Sequence, residues 1–134
     1  SPSHRPPGRG GGERVSDEGR AHMSEASALR TRTCKPCEGG GQPLSPEEIE
    51  RLLRQLDGWA YRDGAITKTF RFPNYWQTMA FVNATAWISH REDHHPDLQV
   101  GYHTCRIDYR THAIDGISEN DFICAAKVDA LLER

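Results

Sequence analysis

Pro96 places the tightest local constraint on this chain, because its ring excludes the helical region for the residue before it and so ends any helix that runs into His94-His95. The stretch Glu92-Asp93-His94-His95-Pro96-Asp97 therefore reads as a stiff turn leading out of a helix. Thr111-His112 follows, with His112 eighteen positions after His94 (112 minus 94), so three of the seven histidines fall in two short segments. Imidazole is the side chain whose ordinary pKa lets it hold or release a proton near neutral pH, which makes the cluster a candidate for proton transfer. Neighbouring side chains on extended backbone point opposite ways, so His94 and His95 face one small ligand together only if the helix end still curls there. On residue types alone, such a pair serves equally well to cap helix carbonyls or to stand in solvent.

A chain of 134 residues, 36% hydrophobic and 27% charged, suits one domain with a portion outside the folded core. With 17 basic and 19 acidic residues the formal charge is -2, and no field of one sign is available to draw nucleic acid or an anionic membrane. No apolar run approaches a membrane span, and the first residues lack the apolar core of a secretory signal, so a cytoplasmic location is expected. In that compartment Cys34, Cys37, Cys105 and Cys124 are expected as reduced thiols rather than as two disulfides.

The division expected is a disordered tail over residues 1–43, carrying a Cys-x-x-Cys element, and a folded domain over 44–134. Residues up to about Arg32 are rich in Gly, Pro, Arg, Ser and Glu and bury too little apolar surface to offset ordering. Residues 1–22, ahead of Met23, read either as a translated leader or as sequence added to the native protein. Cys34-Lys35-Pro36-Cys37 has the spacing of half a zinc site or of a redox dithiol, but no second Cys pair follows at knuckle spacing.

Ser45-Pro46-Glu47-Glu48 is a capping-box helix start, with Ile49, Leu52, Leu53 and Leu56 as one apolar stripe. Trp59 to Arg62 and Ala65 to Phe72 read as strands joined by Asp63-Gly64, a dipeptide suited to a tight hairpin. A longer helix from Pro73 to about Asp93 places Trp76, Met79, Ala80, Ala84, Trp87 and Ile88 at helical spacing. Tyr75, Phe81, Val82 and Ala86 widen the stripe, which suits either a well-buried helix or a second face that meets another subunit. Two further strands follow, one through Leu98, Val100 and Tyr102, the other from Cys105 to His112 with His112 on the polar side shared by Arg106, Asp108 and Arg110. Ser118-Glu119-Asn120-Asp121 opens a last helix, where Asp121 is read as a capping carboxylate and Cys124 as a core thiol. The order α-β-β-α-β-β-α predicts an α+β fold, a four-stranded antiparallel sheet with three helices on one face.

Asp93-His94-His95-Pro96-Asp97-Leu98, Val100-Gly101-Tyr102, Thr111-His112 and Gly116-Ile117-Ser118-Glu119-Asn120-Asp121-Phe122 together resemble the pterin-4a-carbinolamine dehydratases, particularly their bacterial members, over Leu44 to about Leu132. The resemblance implies a dehydratase that converts 4a-hydroxy-tetrahydropterin to quinonoid dihydropterin and water, recycling the pterin of aromatic amino-acid hydroxylases. It implies His94, His95 and His112 as proton-transfer residues and His94, His95, Pro96, Thr111, His112, Ala113 and Ile114 as pterin contacts, with Asp93, Trp59 and Asp121 in support. Many members carry Glu four residues before the first His of the pair; here that position is His90, and Glu92 and Asp93 stand nearer.

The reaction loses hydroxide from C4a and a proton from N5 without change of redox state, so no cofactor or metal is called for, the pterin being the substrate. An acid on the leaving oxygen and a base on N5 are what two imidazoles supply, with Asp93 or Glu92 as the expected partner of an imidazolium. Expected partners are the small-molecule pterin, further copies of the chain in a homo-oligomer (dimer or tetramer) and an aromatic amino-acid hydroxylase, with no nucleic acid and no membrane. Two alternatives from other classes are a zinc-binding protein using His94, His95, His112 and the Cys34/Cys37 pair, and a dimerisation or interaction module acting through its helical faces.

Overall fold

A computed structural model gives the fold of residues 28–36 and 41–133. Residues 1–27, 37–40 and 134 lie outside the described residues, and with them the leader reading of 1–22, most of the expected tail and Cys37. Helix α1 (Pro46–Leu53) begins as its sequence requires: Ser45 Oγ accepts the Glu48 N–H at 3.2 Å and Glu48 Oε1 accepts the Ser45 N–H at 3.1 Å. Those bonds, the backbone one foremost, hold the Glu48 carboxyl below its ordinary pKa. Ile49 and Leu52 are buried, and Leu56 follows them into the core. In the hairpin of β1 (Ala60–Arg62) and β2 (Ala65–Arg71), Asp63 and Gly64 take φ of 50° and 80°, the paired positive angles a two-residue turn demands.

Strands β3 (Asp97–Val100) and β4 (Thr104–Tyr109) complete an antiparallel sheet in the order β1-β2-β4-β3. The register sets Ile66 opposite Tyr109 and Phe70 opposite Cys105, so Ile66, Phe70, Cys105, Ile107 and Tyr109 share one buried face. Thr69, Arg71 and Arg106, of opposite parity, are exposed. Helices α2 (Tyr75–Glu92) and α3 (Glu119–Ala130) join α1 on the buried face, since Phe81, Phe122, Ile123 and Val128 belong to the same cluster as Ile49 and the sheet residues. The α+β order and the four-stranded antiparallel sheet are those expected.

Three local expectations are corrected. The buried stripe of α2 is Thr78, Phe81, Thr85 and Ser89, whereas Trp76 is 85% and Trp87 60% exposed. The hydroxyls are buried because they are satisfied: Thr78 Oγ1 donates to Tyr102 O at 2.8 Å, Thr85 Oγ1 to Val82 O at 2.7 Å and Ser89 Oγ to Thr85 O at 3.0 Å. Strand β4 ends at Tyr109, so His112 stands in a 3₁₀ turn (His112–Ile114) and not on a strand. That turn is pinched by Thr111 and Gly116, which exchange backbone hydrogen bonds of 2.8 and 3.3 Å. A Cβ on Gly116 would meet the Pro43 ring at 2.7 Å, so the close approach requires glycine. Third, residues 28–36 fall within the segment expected as disordered tail, yet Leu29 is 1% exposed in the core and residues 28–31 are helical.

Candidate active site

The end of α2 builds the first half of the site. Asp93 caps the helix in the left-handed region (φ 52°, ψ 43°), and the His94 N–H donates back to Ser89 O at 3.2 Å. This reversal lays the His94 ring on Tyr109 of β4, centroids 5.9 Å apart and planes within 6°. Tyr109 is fully buried, and burial pushes its hydroxyl pKa up, so it presents a neutral ring to His94.

The start of α3 builds the second half. Asp121 is fully buried, and its Oδ2 accepts the Ser118 N–H at 2.9 Å, closing a capping box, and the Thr111 hydroxyl at 2.8 Å. Since Thr111 spends its only hydroxyl proton there, the 2.7 Å contact between Ser118 Oγ and Thr111 Oγ1 has Ser118 as donor. Asp121 Oδ1 remains, and it meets His94 Nε2 at 2.6 Å. Acceptance by a carboxylate places a proton on Nε2, so in the neutral ring Nδ1 is the unprotonated nitrogen. Asp121 is thus both a helix cap and the partner of His94, the part expected of Asp93 or Glu92. Glu92 instead accepts the Cys34 N–H at 2.8 Å and lies 3.7 Å from Lys127 Nζ.

An open cavity of about 550 Å³ gathers His94, His95, Thr111, His112 and Ala113, so the two histidine-bearing segments do border one space. His95 and His112 are exposed to it, while the His94 side chain is 11% exposed. Asp93 is on the wall; Pro96 and Ile114 are not, Pro96 serving the turn. Trp59 does not reach the cavity: it is buried, donates its indole N–H to Asp129 Oδ2 at 3.0 Å and packs 6.1 Å from Tyr109, behind the ring that carries His94. The sequence reading missed the Ser118–Thr111 relay and the wall made by Cys34, Lys35 and Pro36. A capping carboxylate with one oxygen to spare was the available sign of the first. Among the described residues, no three His, Cys, Asp or Glu side chains converge as metal ligands, and no helix is long and apolar enough to cross a membrane.

The sequence profile of the family described as pterin 4 alpha carbinolamine dehydratase matches residues 42–131. A Nitrosospira multiformis protein named as a pterin-4-alpha-carbinolamine dehydratase is 67% identical over 105 residues, covering 78% of this chain and 93% of that one. A Nitrosomonas europaea protein of the same name is 63% identical over 112 residues, 83% of this chain and 99% of its own. The crystal structure of a transcriptional coactivator/pterin dehydratase from Brucella melitensis superposes with a TM-score of 0.66 at 31% identity, covering 69% of this chain and all (100%) of that one. Similarity of this extent, over a fold whose two histidine segments close on one cavity, makes the chain a member of the pterin-4-alpha-carbinolamine dehydratase family.

Proposed function

We propose that the protein dehydrates a 4a-hydroxy-tetrahydropterin to quinonoid dihydropterin and water, through proton transfers by His94, His95 and His112 in this cavity. The observation that carries the reading is the His94–Asp121 pair, a fixed imidazole beside two exposed ones on a single wall system. With Nε2–H committed to Asp121, His94 Nδ1 is the base for the N5 proton, and Asp121 holds the ring's orientation and meets the positive charge that arises. An exposed imidazole, His112 or His95, donates a proton to the C4a hydroxyl as the C4a–O bond breaks and the N5–C4a double bond forms. Water leaves, and the donor regains its proton from His94 through solvent. Each placed acid or base contributes about a hundred- to ten-thousand-fold, enough for a reaction that already proceeds in water. Because carbon and nitrogen keep their combined oxidation level, the chemistry calls on no redox cofactor.

The relatives' names support the pterin as substrate, and an aromatic amino-acid hydroxylase is the class of enzyme that supplies it. A cytoplasmic site of action and a homo-oligomer belong to the same reading. For the oligomer the support is the outer face of α2, with Trp76 85% and Trp87 60% exposed. Trp76→Ala combined with Trp87→Ala is expected to weaken self-association in sedimentation while leaving the rate per chain within about twofold.

The test is stopped-flow dehydration of freshly generated 4a-hydroxy-tetrahydropterin with and without a chelator. The reading expects a rate proportional to protein and indifferent to chelator. A rate equal to the uncatalysed one refutes it, and loss on chelation would favour zinc.

A further inference from the structure

The wall that the sequence reading missed is clamped to the domain at several points. Lys127 Nζ donates to Arg30 O at 2.8 Å, the Cys34 N–H to Glu92 Oε1 at 2.8 Å, and the Asn120 side chain accepts the Lys35 N–H at 3.0 Å while donating to Lys35 O at 2.6 Å. Arg30 pairs with Glu133, and Arg32 with Glu119 at 3.2 Å. Leu29 anchors the segment in the core. Asn120, which carries the central clamp, is the residue before Asp121, so the segment is tied to the helix start that orients His94.

The clamp brings Cys34 Sγ to 3.5 Å from Cys124 Sγ, although the two are 90 positions apart. A disulfide needs about 2.05 Å, so a further approach of roughly 1.5 Å closes the bond. Cys34 is half-buried and reachable from the cavity it lines; Cys124 is fully buried behind it on α3. The Cys34 thiol also lies 3.7 Å from Asn120 O, so its sulfur is held between the first turn of α3 and Cys124.

We propose that Cys34 and Cys124 form a reversible dithiol/disulfide site oxidised by hydroperoxides, and that the disulfide, while it lasts, ties residues 28–36 covalently to α3 as a wall of the cavity. Cys34 sulfur attacks the peroxide O–O bond, giving the sulfenic acid and releasing an alcohol, or water from hydrogen peroxide. Cys124 sulfur then attacks Cys34 sulfur: the S–S bond forms, the S–O bond breaks, and the departing hydroxide takes the Cys124 proton and leaves as water. Two thiols and one hydroperoxide thus yield one disulfide, one alcohol and one water. A dithiol reductant reverses the oxidation. The bond itself is independent of the proposed dehydration; that it borders a pterin rests on that reading.

The full chain is treated with stoichiometric hydrogen peroxide, digested without reduction and mapped by mass spectrometry, with thermal unfolding followed in parallel. The expected result is a cross-linked peptide pair containing Cys34 and Cys124, an intact mass lower by about 2 Da and a Tm higher by about 5 °C or more, all reversed by dithiothreitol. Cys37→Ser should leave the cross-link in place. Cys34→Ser and Cys124→Ala should each abolish it, and Cys34→Ser changes no core residue, so folding remains intact in at least one variant. A Cys34–Cys37 link, an intermolecular link, no loss of mass or an unchanged Tm on cross-linking overturns the proposal. No readout involves pterin, so failure here leaves the dehydration reading standing, and the reverse also holds.

Discussion

His94 and His112 border the same cavity but are held in opposite ways. His94 is stacked on a buried tyrosine and bonded to a buried carboxylate, which itself accepts from Thr111 and Ser118. His112 sits exposed at the start of a 3₁₀ turn whose cap supplies no side-chain hydrogen bond. In the proposed dehydration the fixed ring would give direction to one proton transfer, and the exposed ring would exchange protons with water.

Substitutions separate the roles of the two rings. His94→Ala is expected to lower kcat by about 10²- to 10⁴-fold with the fold retained by circular dichroism, and a larger loss for His112→Ala would invert the assignment. Asp121→Asn presents an amide to His94 and abolishes the Nε2–H···O⁻ bond, so kcat should fall about a hundredfold with KM within about threefold. A purely structural Asp121 would instead move stability and KM while sparing kcat. His112→Ala should cost at least about tenfold, a loss that added imidazole partly restores because the position is open. Thr111→Val leaves Asp121 Oδ2 with one donor and should cost about 1 kcal/mol in urea unfolding and only a few-fold in rate.

The smallest effect is a pH dependence remote from the cavity. Burial raises the Asp129 carboxyl above its ordinary 3.8, despite the opposing hydrogen bonds from Lys68 and Trp59. The folded state therefore binds this proton more tightly than the unfolded one, and the stability it contributes, complete below pH 3.8, is lost as pH rises through the folded pKa. The stability of wild type minus that of Asp129→Asn should accordingly fall over that window, with the dehydration rate at neutral pH unchanged. A difference that rises with pH would show that the Lys68 pair outweighs burial.

Features decided by neighbouring residues were legible in advance. Ser45 with Glu48, Ser118 with Asp121, and Asp63 with Gly64 each determine a cap or a turn from residues at most three apart, and all are present. The inward face of α2 was not legible, because Trp76 and Trp87 outweigh Thr78, Thr85 and Ser89 on any hydropathy pattern, and those hydroxyls become cheap to bury only through carbonyls of the helix itself and, for Thr78, of Tyr102. The His94–Asp121 contact joins positions 27 apart, and nothing local to either residue specifies it. The segment around Leu29 reads as tail because its docking rests largely on backbone groups and on ion pairs, with only Leu29 and Cys34 as apolar contacts, and composition does not register this.

In the proposed dehydration, imidazoles from both segments touch one bicyclic ligand. Histidine-selective ¹⁵N-labelled protein titrated with a stable 7,8-dihydropterin tests this contact directly by NMR. Ring signals of His94 and His112 should move together along one binding curve, while those of His90, beside Trp87, and His103, bonded to Phe72 O, stay still. Movement of only one of the pair, or of neither at saturating ligand, would contradict the shared contact.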